Sequence, residues 1–106
     1  FRLEYYQLAI QILKSNKQII SCYAGISNVH LSPYGDIWPC CTLGYEKSMG
    51  NLRDVNYDFQ KLWRSGKANA VRQYIKNKHC ACPLANQAYS NILLNTFSLM
   101  RVLRNI

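Results

Sequence analysis

The sequence predicts an α+β domain: a small β-hairpin with flanking helices, organised around a cysteine-rich metal-cluster site. Three observations carry that reading. Apolar residues recur at helical spacing at both ends of the chain and again past residue 58. One central stretch, SNVHLSPYGDIWPC, alternates instead around a Pro/Gly turn. Cysteines stand at the joints between these segments: Cys22, Cys40, Cys41, Cys80 and Cys82.

In chain order, FRLEYYQLAIQILK places Leu3, Tyr6, Ile10 and Leu13 at helical spacing, with Gln7, Gln11 and Lys14 between them. This predicts an amphipathic helix over residues 1 to about 18 with that apolar stripe. IISCYAG then changes to β-branched residues and ends at Gly25. In the hairpin, Val29 and Leu31 alternate with His30, SPYGD supplies the turn, and Ile37 and Trp38 return. TLGYEKSMGNLRDVNY reads as a loop punctuated by Gly44 and Gly50. Asp58 is an N-cap for FQKLW, Ser65–Gly66 interrupts that helix, and KANAVRQYIKNK resumes with Ala68, Val71 and Ile75 on one face. HCACP ends it. Pro83 suits the first position of a final helix, LANQAYSNILLNTFSLMRVL, whose buried stripe is Tyr89, Ile92, Leu93, Met100 and Leu103.

At 106 residues the chain has room for one modest core, which a metal site or partner surface would help to hold. A hydrophobic content of 49% excludes a disordered chain. No stretch reaches the roughly 20 apolar residues needed to cross a bilayer, and the opening lacks the pattern of a secretory signal. A helical pattern already runs at Phe1 and still runs at the last residues, so a longer protein is expected.

Thirteen Lys and Arg stand against five Asp and Glu, a net charge of +8. The cations are scattered rather than gathered in a run, which favours a solvated basic surface over a nucleic-acid face. An acidic partner fits the sign. The tyrosines form no stacked platform for bases.

The odd cysteine count argues against a closed disulfide framework, as does the adjacency of Cys40 and Cys41. Thiolates converging from sharp bends are what a soft metal requires. The residues alone therefore indicate a four-thiolate metal site, with an iron–sulfur cluster and Zn2+ both open; no pair has the C-x2-C spacing of a zinc knuckle.

The run CYAGISNVHLSPYGDIWPC, with Cys22, twelve residues, Gly35, four residues and Cys40, resembles the opening of the SPASM and twitch domains of radical S-adenosylmethionine (radical SAM) enzymes. The order that follows, GNLRD, FQKLW, VRQYI and a cysteine cluster, is similar too. By that resemblance residues 1–18 are the end of an upstream catalytic barrel and residues 19–106 an auxiliary-cluster domain. A full SPASM domain continues C-x2-C-x5-C-x3-C and a further cysteine, and holds two auxiliary [4Fe–4S] clusters. This chain has C-x-C and none after it, so it resembles the shorter, one-cluster version. The implied ligands are Cys22, Cys40, Cys80 and Cys82, with Cys41 a possible alternative.

The resemblance also implies a division of labour. The barrel of such enzymes binds S-adenosylmethionine and a cluster through C-x3-C-x2-C, which this chain lacks. The implied role here is electron relay with four protein thiolates, or substrate positioning at an open iron with three. A peptide or small-molecule substrate, an acidic electron donor and a cytoplasmic setting follow as expectations. A zinc-stabilised basic module for nucleic acid or an acidic protein is the alternative, and an exported disulfide protein ranks below both.

Among other residues, Trp38 is placed to shield a cluster or to serve as the hairpin's core aromatic. Trp63 reads as packing and His30 as solvated. His79, beside Cys80, reads as a surface residue, with a sulfur contact or ligation as the functional alternative. Arg72 is open to pairing with a carboxylate or to solvent.

Overall fold

The computed structural model describes residues 1–106. Helix α1 spans Arg2–Ser15, followed by strands β1 (His30–Leu31), β2 (Asp36–Trp38) and β3 (Gly50–Asn51). A 3-10 turn, Leu52–Val55, leads to α2 (Phe59–Trp63), α3 (Gly66–Lys76), α4 (Ala85–Leu94) and α5 (Thr96–Arg104). The chain is therefore α+β. Its contacts separate into two compact units, one of Phe1–Tyr23 with Lys78–Ile106 and one of Ala24–Asn77. No helix is long and apolar enough to cross a membrane.

The first unit packs α1, α4 and α5 around Leu8, Ile12, Ala88, Ile92 and Val102, with Tyr5, Ile20 and Ala81 against them. Helix α1 buries Glu4, Leu8 and Ile12, a row repeating every fourth residue. The stripe read from the sequence lies elsewhere: Leu3, Tyr6, Ile10 and Leu13 are all exposed, Leu13 at 68%. At 3.6 residues per turn the two rows fall on opposite sides of the helix. α1 thus carries two apolar faces, and periodicity alone does not say which one the bundle takes. Asn16 ends the helix in the left-handed region at φ 53°, which asparagine tolerates.

The final helix is two helices. Asn95 is extended, at φ −101° and ψ 114°, and its Oδ1 accepts the N–H of Ser98 at 2.9 Å. A short side chain that satisfies an orphan amide competes with helix continuation, and here it wins. The break changes the buried set to Gln87, Ala88, Asn91 and Ile92 on α4, and Ser98 and Val102 on α5. Leu93, Met100 and Leu103 of the expected stripe are exposed, and Tyr89 is more than a third exposed. Pro83 precedes the N-cap residue Leu84, two places ahead of the first helical position expected for it.

In the second unit the strands form an antiparallel sheet in the order β1-β2-β3. His30 faces Trp38, Leu31 faces Ile37, Asp36 faces Asn51, and Ile37 faces Gly50. The hairpin turn closes through Ser32, whose Oγ accepts the N–H groups of Tyr34 and Asp36 at 3.2 and 3.0 Å. Gly35 takes φ 90° there, a conformation that disfavours a Cβ. The third strand lies in the stretch whose sequence reads as a loop; two residues are too few to show alternation. Leu31 is exposed although it alternates with His30, while Ile37 is buried.

The helices of this unit follow the sequence reading closely. Asp58 Oδ1 accepts the N–H of Lys61 at 3.3 Å, capping α2. Ser65 Oγ accepts the N–H of Ala68 at 3.2 Å, capping α3, whose buried face is Ala68, Val71 and Ile75. Leu62 packs so closely under β3 that a Cβ on Gly50 would lie 3.2 Å from its Cδ1.

Candidate metal centre

Cys40 and Cys41 follow β2 after one residue, Pro39, in the second unit. Pro39 is fully buried and ends the strand, since it has no N–H to continue the ladder. Cys40 is buried, and its Sγ lies 3.0 Å from Thr42 Oγ1. Cys41 is exposed. The chain reversal after β2 thus turns one thiol of the adjacent pair inward and the other to solvent.

In the same unit two side-chain nitrogens are buried without an acceptor, Trp38 Nε1 and Arg72 Nη2. The Trp38 ring packs edge-to-face with Tyr45, centroids 4.7 Å apart, and lies against Gly44, where a Cβ would meet the ring at 3.3 Å. A side chain at residue 44 would need the Trp38 ring to give way by a few tenths of an ångström.

Arg72 is half-buried, and neither of its hydrogen-bond partners is a carboxylate. Its Nε donates to Gly25 O at 2.7 Å, its Nη1 donates to Asn69 Oδ1 at 2.9 Å, and the guanidinium stacks 4.1 Å from the Trp63 ring centroid. Burial pushes its pKa below the ordinary arginine value. Trp63 thus packs as expected, but with a cation on its face.

Cys22, Cys80 and Cys82 belong to the first unit and are half-buried. Two buried amides hold their segments. Gln18 Oε1 accepts the N–H of Cys82 at 3.2 Å while Gln18 Nε2 donates to Ile20 O at 3.2 Å. Asn91 Oδ1 accepts from the N–H of Tyr23, next to Cys22, and from Gln87 Nε2, both at 2.9 Å. Ala81, between Cys80 and Cys82, packs on the apolar core, and Tyr5 Oη donates to Pro83 O at 2.9 Å. The sequence reading misses Gln18 and Asn91; the available signal is an amide leading directly into an apolar pair, Ile19–Ile20 and Ile92–Leu93. His79 is exposed and His30 half-buried.

Within neither unit do three or more His, Cys, Asp or Glu side chains converge as a metal-holding group. The donor chemistry is nonetheless distinctive: one buried thiol in a unit that also buries two side-chain nitrogens lacking acceptors, and three more thiols on segments tied down by buried amides.

No curated protein and no solved structure matches the chain significantly. The family model of SPASM, an iron-sulfur cluster-binding domain, matches residues 22–83, more than half of the chain. The match opens on Cys22, closes one residue past Cys82, and takes in all five cysteines. The chain belongs to the SPASM family of iron–sulfur cluster-binding domains.

Proposed function

We propose that this SPASM-family chain holds one [4Fe–4S] cluster through Cys22, Cys40, Cys80 and Cys82, and acts as the auxiliary-cluster domain of a radical SAM enzyme. The observation that carries the reading is the coincidence of the family match, 22–83, with the span of the cysteines. Four thiols are the set a [4Fe–4S] cluster takes. The buried N–H groups of Trp38 and Arg72 fit an anionic sulfur acceptor, which would remove the cost of leaving them unmade. Cys41, exposed beside Cys40, is the alternative ligand.

When bound, the cluster supplies one-electron transfer to or from the reaction, or a position for substrate. The chain's own residues hold and screen it. Gln18 restrains the backbone of Cys82 and Asn91 that beside Cys22, and the Trp38 ring, two residues before Cys40 and backed by Tyr45, would screen a cluster held there. The exposed apolar row of α1 supports packing of that helix on an upstream radical SAM barrel, which would bring S-adenosylmethionine. A net charge of +8 suits an acidic electron donor, and an oxygen-sensitive cluster suits the cytoplasm. A peptide or a small molecule is the proposed substrate class.

The test is anaerobic reconstitution with iron, sulfide and zinc quantified beside the visible spectrum. About four irons and four sulfides per chain are expected for one such cluster. One tightly held zinc without sulfide would replace the reading with that of a zinc-stabilised binding module.

A further inference from the structure

We propose that helix α5 docks this chain on an anionic lipid surface, laying Phe97, Met100 and Leu103 into the acyl boundary with Arg104 at the headgroups. The inference goes beyond the cluster reading and does not rest on it.

Helix α5 is packed with its apolar row outward. It buries Ser98 and Val102, Ser98 to 1% exposure, while the neighbouring Phe97 is 74% exposed. Met100 and Leu103 are exposed as well. A step of three residues turns a helix by about 300°, so Phe97, Met100 and Leu103 share an arc of about 120° on the side opposite Ser98 and Val102. By the same spacing the exposed Arg104 falls on this arc, toward its C-terminal end. Leu93 and Leu94, just before the break at Asn95, are also exposed. An amphipathic helix of a globular chain turns its apolar side to the core. One that buries a serine and shows a phenylalanine has a second apolar medium to meet.

The charges identify that medium. The unit of Phe1–Tyr23 and Lys78–Ile106 carries Arg2, Lys14, Lys17, Lys78, Arg101 and Arg104 against a single acid, Glu4. Glu4 is buried and already taken by Arg101. Both arginines of α5 lie in its last turn. The helix dipole accounts for cations there but not for the exposed apolar row beside them. Pairing with a second copy of the chain would bring cations together with no acid to meet them. Apart from Thr96 and Arg104, the face holds no hydrogen-bonding side chain for a protein groove to read. A fluid acyl layer needs no such match. It takes up the apolar row, while arginine side chains reach back to the lipid phosphates.

The experiment is co-sedimentation of the full chain, kept reduced, with vesicles of phosphatidylcholine and of an equimolar phosphatidylcholine–phosphatidylglycerol mixture. Binding at least tenfold tighter to the anionic vesicles is expected. Salt at about 1 M, where the screening length falls to about 3 Å, should weaken that binding at least tenfold. Phe97→Gln should weaken it about tenfold and Arg104→Gln about fivefold. Leu31→Gln, exposed in the other unit, should leave it unchanged. Equal binding to both vesicles, binding to neither, or anionic binding that Phe97→Gln leaves intact overturns the inference. Should Phe97→Gln misfold, as read by circular dichroism, Arg104→Gln and the salt series decide, and no response to either overturns it. A chain that ignores both vesicles yet forms a dimer dissociated by Phe97→Gln in sedimentation velocity overturns it too, and gives the face to a second copy.

Discussion

Arg101 aims both Nε and Nη2 at a single carboxylate oxygen, Glu4 Oε1, at 2.9 and 2.6 Å. The pair joins α5 to α1, and its two members differ sharply in environment: the Arg101 side chain is 55% exposed, the Glu4 side chain 9%. The hydrogen bond to Glu4 raises the Arg101 pKa above its ordinary value. The asymmetry decides which deletion hurts. Arg101→Met strands a buried carboxylate and should cost about 1–2 kcal/mol, a figure already reduced for the arginine's exposure. Glu4→Gln leaves an exposed cation and a neutral buried amide, and should cost less. Urea denaturation of the two variants gives the order.

The two apolar rows of α1 make opposite predictions. Ile12 and Ile92 are almost fully buried in the first unit's core, so Ile12→Ala or Ile92→Ala should each cost about 2–5 kcal/mol. Leu13→Ala and Ile10→Ala, on the exposed row, should stay within about 0.5 kcal/mol of the parent in the isolated chain. Equal losses on the two rows in thermal unfolding would contradict the packing described.

Glycine is required at Gly35 and dispensable at Gly66. A Cβ at Gly35, which has φ 90°, would stand 3.0 Å from Asn51 Oδ1. Asn51 uses that oxygen to accept the N–H of Arg53 and its Nδ2 to donate to Tyr34 O and Asp36 Oδ1, so it has little freedom to yield. Gly35→Ala should cost about 1–3 kcal/mol. Gly66 begins α3 with open space around it, and Gly66→Ala should stabilise by about 0.4–1 kcal/mol.

The junction of α4 and α5 depends on one cap. Asn95→Ala removes the acceptor of the Ser98 N–H and should cost about 1 kcal/mol, read from the denaturation midpoint at unchanged m-value.

The adjacent cysteines should separate by burial. Cys40→Ser is expected to lose the visible cluster absorbance and its sulfide on anaerobic reconstitution, while Cys41→Ser retains both. The reverse result would move the ligand to Cys41. Stripping the metal with a chelator should lower the thermal midpoint of the wild type, because a group that binds only the folded chain stabilises it.

Much of this was legible in the residues themselves. The caps at Asp58 and Ser65, the Ala68–Val71–Ile75 face and the turn at SPYGD are local: each is set by a side chain and the backbone within a few positions of it. The family was legible for the same reason, since the spacing of Cys22, Gly35 and Cys40 and the order of elements after it are written along the chain.

What tertiary structure decided concerns choices between local options of similar energy. Both rows of α1 are apolar, and the one facing α4 and α5 became core. Leu94 and Thr96 flank Asn95 in an otherwise helical run, yet its side chain took the cap and turned Leu93, Met100 and Leu103 outward. The sequence leaves Arg72 open to a carboxylate or to solvent, and only the long-range approach of Gly25 and the packing of Trp63 fix its guanidinium. Short-range pattern records which conformations a segment can adopt. The partner that removes its surface from water, and the acceptor that meets its polar groups, lie far along the sequence and are chosen only when the chain closes on itself.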